Sequence, residues 1–179
     1  RAGAWSCWVR FTPDTGRWTF PENCSWAAEC SSFPCDAGTV IRTRQRTNTS
    51  VQTSVSPEPI TITAVLPTFN RLPLLRRALQ SILRQSVQPH EIIVVDDGST
   101  DNSVEVIRGF ASKHPVIKLL QNDKNRGVTF TVNRGIDSAG NAFVYLQASD
   151  DVILSGFFEK SLQLLAQHPQ AGLSCTIGD

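Results

Sequence analysis

Several features are scarce in this sequence of 179 residues. It contains no methionine and one tyrosine, and no apolar run approaches the roughly 20 residues that cross a bilayer. The formal net charge is only +1, so no strong field selects a polyanion, and nucleic-acid binding is disfavoured. The first residues lack the positive-then-apolar layout of a signal peptide. We therefore expect a soluble chain in which a local site holds any anionic ligand.

The overall composition is that of an ordinary globular protein, with 40% hydrophobic and 18% charged residues. The cysteines are unevenly spread, because Cys7, Cys24, Cys30 and Cys35 lie near the N-terminus and Cys175 stands alone near the end. A clustered, even set in a short segment indicates disulfides in an oxidising compartment or, less often, a metal site. No connectivity follows from the spacings. The chain therefore divides into one globular domain and an appendage of different character.

Residues 1–59 form the appendage, which we interpret as an irregular Cys- and Trp-rich extension ending in a linker. No helical or strand period is visible there, and the polar stretch 48–59 has the composition of a linker. The appendage is faintly similar to a thrombospondin type 1 repeat in Cys24-Ser25-Trp26, Cys30, Cys35, Gly38, Arg42, Arg44 and Arg46. The alternatives are a poorly ordered extension and a translated upstream stretch that is not part of the functional protein.

Residues 60–179 alternate between short apolar runs and helical periods. Ile60–Leu66 has the alternation of a strand that ends at Pro67, and the apolar residues of Arg71–Gln85 mark one helical face. Glu91–Asp96 contains the continuous β-branched run of a strand covered on both faces. The order then repeats, with predicted strands at 116–120, 142–146 and 173–177, and predicted helices after residue 102, at 128–139 and at 156–167.

Repeated βα units predict an α/β fold, in which a mostly parallel sheet carries helices on both faces. Ligands of such sheets bind beyond the carboxyl ends of the strands. Three polar clusters follow predicted strands, at Pro67–Arg71, Asp96–Thr100 and Ser149–Asp151. We therefore expect these clusters to converge at one edge of the sheet.

The first acidic pair, Asp96 and Asp97, ends an apolar strand and precedes the turn Gly98-Ser99-Thr100. Carboxylates at that edge can accept hydrogen bonds from a base N–H or from ribose hydroxyls. The alternative is that a carboxylate only caps the next helix, a role that Asp97 or Asp101 can share. We interpret the pair as ligand-binding.

The second acidic pair, Asp150 and Asp151, follows the fourth predicted strand. Adjacent carboxylates suit Mg²⁺ or Mn²⁺, since these ions prefer oxygen ligands and accept further ligands from a diphosphate and water. Taken alone, such a pair is more often a solvated turn. Its place at the same predicted sheet edge as Asp97 favours a metal site.

The segment Asn125-Arg126-Gly127 lies between a predicted strand and helix. Its glycine allows close backbone approach, and its asparagine or arginine can address a phosphate or a base. Asn133 and Arg134 lie further along that helix, and Arg134 has two interpretations, an exposed helical residue and a ligand contact. The three histidines form no cluster in the sequence, and we assign them no catalytic role.

Taken together, four segments closely resemble family 2 glycosyltransferases in order and spacing. They are Val65-Leu66-Pro67-Thr68-Phe69-Asn70-Arg71, Glu91 to Asp101, Asn125-Arg126-Gly127 with Asn133-Arg134-Gly135, and Ala148-Ser149-Asp150-Asp151. The resemblance covers about Thr61 to Asp179, roughly two thirds of the chain. It implies the Rossmann-like GT-A fold, a nucleotide-diphosphate sugar as donor, usually a UDP sugar, and transfer to an acceptor hydroxyl with inversion at the anomeric carbon.

By matching motif, the resemblance also implies roles for individual residues. The metal ligands of the family's D-x-D motif correspond to Asp150 and Asp151, with Mn²⁺ or Mg²⁺ as the cofactor. Phe69 offers a stacking face for the base. The implied nucleotide-binding residues are Pro67, Thr68, Phe69, Asn70, Arg71, Asp96, Asp97, Asn125 and Gly127. The implied setting is cell-wall or polysaccharide biosynthesis in the cytoplasm, with the inner face of the membrane as an alternative.

Two departures from the family pattern limit what the resemblance implies. Ala148 replaces the first aspartate of the commonest D-x-D form, which puts the exact ligation of the metal in doubt. The carboxylate that deprotonates the acceptor is expected beyond Asp179, so the domain 60–179 is expected to be incomplete at its C-terminus. We therefore expect this chain to bind the donor and to transfer sugar poorly or not at all.

Three rival interpretations remain at this stage. The first is a donor-binding fragment without catalysis. The second is a receiver-like signalling domain, which is disfavoured because the third predicted strand ends in Leu119-Leu120-Gln121 rather than in an acceptor aspartate. The third places the function in the appendage, as an extracellular interaction module. The sequence identifies neither the sugar nor the acceptor.

Overall fold

The computed structural model describes residues 5–12, 17–18, 61–141, 143–168 and 173–177. The strands are β1 (Trp5–Thr12), β2 (Arg17–Trp18), β3 (Ile62–Thr68), β4 (Glu91–Asp96), β5 (Ile117–Gln121), β6 (Phe143–Leu146) and β7 (Leu173–Ile177). The helices are α1 (Leu72–Leu83), α2 (Ser103–Ala111), α3 (Val128–Ser138) and α4 (Phe157–Gln167). Within these ranges no helix combines the length and the apolar character needed to cross a membrane.

Four parallel strands in the order β5-β4-β3-β6 form the body of the sheet. The chain adds β4 and β5 on one side of β3 and then places β6 on the other side. Such a reversal creates a crevice at the carboxyl ends of the strands, where α/β sheets bind their ligands. Beyond β6, β1 pairs antiparallel with it, and β2 and β7 pair antiparallel with β1. The predicted mostly parallel α/β sheet and the predicted strand at 173–177 are confirmed.

Strand β1 corrects one expectation, since the analysis of residues 1–59 found no regular period there. Trp5, Cys7, Val9 and Phe11 occupy every second position, which is the period of a strand. The intervening positions are polar except for Trp8, which obscures the pattern. The thrombospondin-like stretch and the linker lie outside the described residues, and so do the side chains of the cysteines.

Strand β3 continues through Pro67, where the sequence pattern predicted its end. The backbone carbonyl of Val65 accepts a hydrogen bond from Gln147 on the β6 side, and Pro67 has the same parity along the strand. Pairing between β3 and β6 ends at Val65, so a proline nitrogen facing that side loses no bond of the sheet. Thr68 faces the other way, and its carbonyl accepts a hydrogen bond from the N–H of Asp97 at 2.9 Å.

Helices cover both faces of the parallel strands. On one face, α1, α2 and α4 bury a core that comprises Ile62, Ala64, Leu66, Leu75, Ala78, Leu79, Ile82, Ile92, Val94, Ile107, Ile117, Tyr145, Ile153 and Phe158. On the other face, α3 packs its residue Ile136 against Val65, Ile93, Val95 and Val144 of the sheet. Full burial of each leucine or isoleucine stabilises the fold by about 1.5–3 kcal/mol. Because the strands are packed on both faces, their carboxyl ends are held in fixed positions.

Gly135 sets the distance between α3 and the sheet. A Cβ at this position would collide with Val65 Cγ1 and would lie 3.1 Å from Val95 Cγ2. Since only glycine lacks a Cβ, it allows the helix to approach β3 and β4 this closely. The same helix carries Val128 and Thr131 in its first turn, and the position of these two residues therefore depends on the close contact.

Candidate functional site

A cleft of ≈ 460 Å³ opens at the carboxyl ends of the parallel strands. Four parts of the chain form its wall: the end of β3, the residue after β4, the β5–α3 loop with the first turn of α3, and the segment after β6. The lining residues are Pro67, Thr68, Phe69, Arg71, Asp97, Asn125, Gly127, Val128, Thr131, Ala148, Ser149 and Asp150. The structure thus brings together residues of all three polar clusters.

The segment after β3 contributes an aromatic ring and a buried hydroxyl to the cleft. Phe69 is 39% exposed, although it lies next to a core strand. Thr68 is buried, and its Oγ1 has no hydrogen-bond partner among the described residues. An exposed ring beside an unpaired hydroxyl is a surface that a flat ligand with polar edges can occupy.

Asn70, the fourth residue of the predicted nucleotide set, does not line the cleft. Its backbone adopts the left-handed conformation with φ 51°, which asparagine tolerates better than most residues. Its Oδ1 accepts hydrogen bonds from the N–H groups of Thr100 at 2.8 Å and Asp101 at 3.3 Å, and its own N–H donates to Ser99 Oγ at 3.0 Å. Asn70 therefore ties the loop after β3 to the loop after β4.

Asp101 completes this connection in the opposite direction. Its carboxylate accepts hydrogen bonds from the N–H of Leu72 at 3.2 Å and of Ser103 at 3.0 Å, the first residues of α1 and α2. Burial acts to raise the pKa of Asp101, but the hydrogen bonds from Ser103 and Leu72 outweigh it and hold the pKa below its ordinary value. The helix-capping role that the sequence left open between Asp97 and Asp101 thus belongs to Asp101 for α1 and α2.

Asp97 lines the cleft and also binds the β5–α3 loop. Its Oδ1 accepts hydrogen bonds from Asn122 Nδ2 at 2.6 Å and the N–H of Arg126 at 2.9 Å, while its Oδ2 accepts one from the N–H of Gly127 at 2.9 Å. Gly127 directly precedes α3, so the negative charge of Asp97 sits at the positive end of that helix. Because both N–H groups of the loop face Asp97, they are not directed at a phosphate.

Asn122 and Arg134 complete this network, and the sequence analysis did not identify their role. Asn122 Nδ2 also donates to Thr131 Oγ1 at 3.1 Å, and its Oδ1 accepts a hydrogen bond from Arg134 Nη1. Arg134 Nη1 donates in addition to the carbonyl of Gln121 at 2.6 Å. Neither of the two interpretations of Arg134 describes this role. The available signal was a polar residue, Asn122, directly after β5 at the ligand-binding edge.

Asp96 lies on the other face of the sheet from Asp97 and does not line the cleft. It shares strand parity with Val94, which packs in the core under α1 and α2, whereas Asp97 follows Val95 on the α3 side. The side chain is buried, and Oδ2 accepts a hydrogen bond from the N–H of Ser99 at 3.1 Å. Its Oδ1 is buried and has no hydrogen-bond partner among the described residues, and its ligand-binding role stays a prediction.

The β5–α3 loop contributes Asn125 and Gly127 to the wall, as expected from the motif. Gly127 has φ 87° and accepts this conformation because it lacks a Cβ. Arg126 points elsewhere, since its Nε donates to Asp123 Oδ1 at 3.1 Å and its guanidinium lies 4.9 Å from the centre of the Phe130 ring. The loop therefore presents an asparagine side chain and a glycine to the cleft rather than an arginine.

The segment after β6 brings one carboxylate of the second acidic pair into the cleft. Asp150 is exposed and lines the wall beside Ala148 and Ser149, whereas Asp151 is half-buried and lies outside the wall. Burial and, to a lesser extent, the adjacent charge of Asp150 raise the pKa of Asp151 above its ordinary value. Within the described residues no group of three or more His, Cys, Asp or Glu side chains is arranged to hold a metal ion.

The sequence model of Glycosyl transferase family 2 matches residues 63–178, which is more than half of the chain. This chain belongs to glycosyl transferase family 2. Membership of family 2 decides against the receiver-like alternative, and the matched range begins with the strand that carries the Thr68–Phe69 wall of the cleft.

Curated relatives of this family 2 chain are glycosyltransferases from bacteria. GalNAc(5)-diNAcBac-PP-undecaprenol beta-1,3-glucosyltransferase from Campylobacter jejuni is 34% identical over 119 residues, which cover 66% of this chain and 37% of the relative. An uncharacterised glycosyltransferase from Haemophilus influenzae is 34% identical over 107 residues, 60% of this chain and 43% of the relative. The chain thus spans less than half the length of these relatives.

Solved structures similar to this family 2 chain have the same fold. Residues 1–349 of TarS from S. aureus superpose with a TM-score of 0.57 at 25% identity, covering 62% of this chain and 33% of that TarS fragment. The mannosyltransferase PcManGT from Pyrobaculum calidifontis, solved with GDP-Man and Mn²⁺, gives a TM-score of 0.55 at 27% identity. The match covers 59% of this chain and 32% of PcManGT. The GT-A fold expected from the motifs is confirmed.

Proposed function

We propose that the cleft binds a nucleoside-diphosphate sugar together with a divalent metal ion, and that the whole protein transfers the sugar to an acceptor hydroxyl with inversion. The observation that carries this proposal is the composition of a single cleft. It holds an exposed ring and a carboxylate at the end of the β3–β4 pair, and a second carboxylate, Asp150, after β6. This arrangement suits a ligand with a flat base at one end and a charged diphosphate at the other.

Base recognition rests on Phe69, Thr68 and Asp97. Phe69 supplies a face for stacking, and the buried Thr68 hydroxyl can donate to or accept from an edge of the base. A carboxylate has about four acceptor positions, of which Asp97 uses three for Asn122, Arg126 and Gly127. The remaining position on Oδ2 can accept one hydrogen bond from a base N–H or a ribose hydroxyl.

The residues after β6 fit a divalent metal ion that takes most of its ligands from the donor. Asp150 is exposed to the cleft, and the charge repulsion that it exerts on Asp151 is the kind that a bound cation relieves. The acidic pair offers hard oxygen atoms, as Mn²⁺ and Mg²⁺ prefer. Of the two carboxylates only Asp150 lines the cleft, which leaves most positions around the ion for diphosphate and water. A metal bound there would neutralise the charge that develops on the diphosphate leaving group as its bond to the sugar breaks.

The chemistry of transfer follows from this arrangement. The acceptor oxygen forms a bond to the anomeric carbon while the bond from that carbon to the diphosphate breaks, and the acceptor proton passes to a carboxylate. The chain spans less than half the length of its relatives, so we propose this transfer for the whole protein, to which the described domain contributes the donor site.

Similar proteins support a nucleotide-sugar donor. TarS has been solved with UDP and with UDP-GlcNAc, and PcManGT has been solved with GDP-Man and Mn²⁺. The Campylobacter relative is named for glucosyl transfer to an undecaprenol-linked glycan, which supports a role in cell-surface polysaccharide synthesis. We propose a UDP sugar as donor and the cytoplasm, or the cytoplasmic face of the membrane, as the place of action.

Calorimetric titration with UDP, with and without Mn²⁺, tests the proposal. GDP and ADP, which carry other bases, are titrated in the same way for comparison. The variant Asp150→Asn with Asp151→Asn is expected to lose the part of the affinity that depends on Mn²⁺ and to retain the metal-independent part. Asp137→Asn is the matched control, since Asp137 is an exposed acid on α3 outside the cleft.

Two results would contradict this account. Absence of binding for all three nucleotides, both with and without Mn²⁺, would refute a donor site in this cleft. Equal Mn²⁺ dependence in the Asp150/Asp151 variant and the Asp137 control would refute the metal assignment and leave the nucleotide assignment standing. Binding of UDP without sugar transfer by the whole protein would favour a donor-binding protein without catalysis.

A further inference from the structure

We infer that Arg134 is a positioning residue for the donor site, which acts through Asn122 and Asp97 without touching the ligand. The inference rests on the proposed nucleotide binding in the cleft and identifies what keeps one wall of it in place. Arg134 is half-buried on α3 and is not among the lining residues. Its effect must therefore pass through other side chains.

The first step is the contact between Arg134 and the end of β5. Arg134 Nη1 donates to the carbonyl of Gln121 at 2.6 Å and to Asn122 Oδ1. A guanidinium can only donate hydrogen bonds, so it selects the orientation in which the amide oxygen of Asn122 faces α3. The planar group holds both acceptors at once, which fixes the Asn122 side chain relative to the strand.

The second step is the orientation of the Asn122 amide toward Asp97. Asn122 is 7% exposed, and its Nδ2 donates to Asp97 Oδ1 at 2.6 Å and to Thr131 Oγ1 at 3.1 Å. A carboxylate can only accept, so an amide turned by half a rotation would place its oxygen against Asp97 and lose both bonds. Arg134 prevents this rotation, because its guanidinium would then face the amide NH₂ group.

The third step links Asp97 to the wall of the cleft. Asp97 accepts hydrogen bonds from the N–H groups of Arg126 and Gly127 at 2.9 Å each, and the Gly127 N–H is shared with Asn125 Oδ1 at 3.0 Å, so the Arg126 N–H depends on Asp97 more strongly. Gly127 lines the cleft together with Asn125. Gly98 lets the loop come close, since a Cβ at Gly98 would lie 2.7 Å from the carbonyl carbon of Lys124. If Asn122 no longer donates to Asp97, the carboxylate can turn, and both loop bonds weaken together.

The expected consequence is weaker nucleotide binding in a folded protein. Removal of Arg134 leaves the buried Oδ1 of Asn122 without a donor and releases Asn122 and Asp97. UDP must then order the loop wall when it binds, and the cost of ordering about one side chain corresponds to roughly tenfold in the dissociation constant, although no group that touches the ligand has been removed. The N–H groups of Arg126 and Gly127 should exchange with solvent faster even in the absence of nucleotide.

The experiment compares Arg134→Ala with Arg108→Ala. Arg108 is a matched control, because its Nη2 donates to the side chain of the same Gln121 at 3.0 Å but does not reach Asn122. UDP affinity is measured by calorimetry, and amide exchange of residues 126 and 127 is followed by nuclear magnetic resonance without nucleotide. Arg134→Lys is the second variant, since one ammonium can still donate to Asn122 and should preserve part of the protection if the alanine variant fails to fold.

The inference predicts roughly tenfold weaker UDP binding and faster exchange at residues 126 and 127 for Arg134→Ala, intermediate values for Arg134→Lys, and unchanged values for Arg108→Ala. Unchanged exchange at both amides in a folded Arg134→Ala protein would overturn it, as would an equal effect of Arg108→Ala. The exchange measurement requires no ligand. If the parent chain does not bind UDP, the proposed function fails, while the exchange data still decide the role of Arg134.

Discussion

The close contact of α3 with the sheet allows a sharp prediction for Gly135→Ala. Two effects oppose each other in this substitution. Alanine is favoured over glycine inside a helix by about 1 kcal/mol, whereas an extra methyl group in a packed core costs about 1–3 kcal/mol. The added Cβ would collide with Val65 Cγ1 and lie 3.1 Å from Val95 Cγ2, two side chains fixed in the core. We therefore expect the steric cost to prevail.

Gly109→Ala is the matched control, because Gly109 also lies inside a helix, α2, and a Cβ there would meet nothing within 4 Å. That variant should gain the helix preference alone and raise the free energy of unfolding by up to about 1 kcal/mol. Gly135→Ala should lower it by up to about 2 kcal/mol. The difference between the two variants isolates the steric term of about 1–3 kcal/mol.

Urea denaturation measures this difference directly. With a typical urea dependence of 1–3 kcal/mol per molar, the midpoints of the two variants should differ by about 1 M. Gly135→Ala should also weaken UDP binding, because displacement of α3 moves Val128 and Thr131 in the wall of the cleft. Equal stabilisation by both substitutions would show that α3 can move away from the sheet without cost, and the reasoning would be refuted.

Three further predictions concern single side chains. Burial acts to raise the pKa of Glu91, but hydrogen bonds from Lys118, Gly140 and Thr63 outweigh it and hold the pKa below its ordinary value of 4.5. The ionised Glu91 therefore stabilises the folded protein above pH 4.5, and this contribution is lost as the pH falls through the lowered pKa. Glu91→Gln should therefore reduce the acid dependence of the unfolding free energy below pH 4.5 in urea titrations, and an unchanged dependence would contradict this. Asp101→Ala should lower the unfolding free energy by about 1–2 kcal/mol, since the first N–H groups of α1 and α2 lose their acceptor, whereas Asp123→Ala, an exposed acid, serves as control. Phe69→Ala should weaken UDP binding about tenfold through lost stacking and Phe69→Tyr should not, so equal affinities of the two variants in calorimetry would exclude stacking on this ring.

Much of the fold was predictable because its signals are local. The apolar run of Glu91–Asp96 and the helical face of Arg71–Gln85 mark a strand and a helix, and the alternation of such units predicts the parallel sheet. The end of β3 was misplaced for a different reason. Pro67 interrupts a strand only where a neighbour needs its N–H, and the length of β6 that decides this point is a property of the assembled sheet.

In the candidate site, too, some residues could be predicted from single segments, whereas the roles of others depend on how the segments pack together. Motif matching selected Asp96 and Asp97 together, but neighbouring strand residues face opposite sides, and only the packing shows that Asp97 faces the cleft. Asn70 connects two loops, a role that no single segment of the sequence displays. Arg134 acts across α3 and β5, so its partner Asn122 could be named only after the helix was placed.

The most direct test of the central claim is nuclear magnetic resonance of the isotopically labelled chain with UDP and Mn²⁺. The account predicts shift changes on UDP addition at residues 67–69, 97 and 125–127, and paramagnetic broadening by Mn²⁺ at residues 148–151 that strengthens when UDP is present. Broadening at 148–151 that is independent of UDP, or UDP shifts confined to the smaller cavity beside His90 and Lys118 at the other end of the sheet, would contradict it.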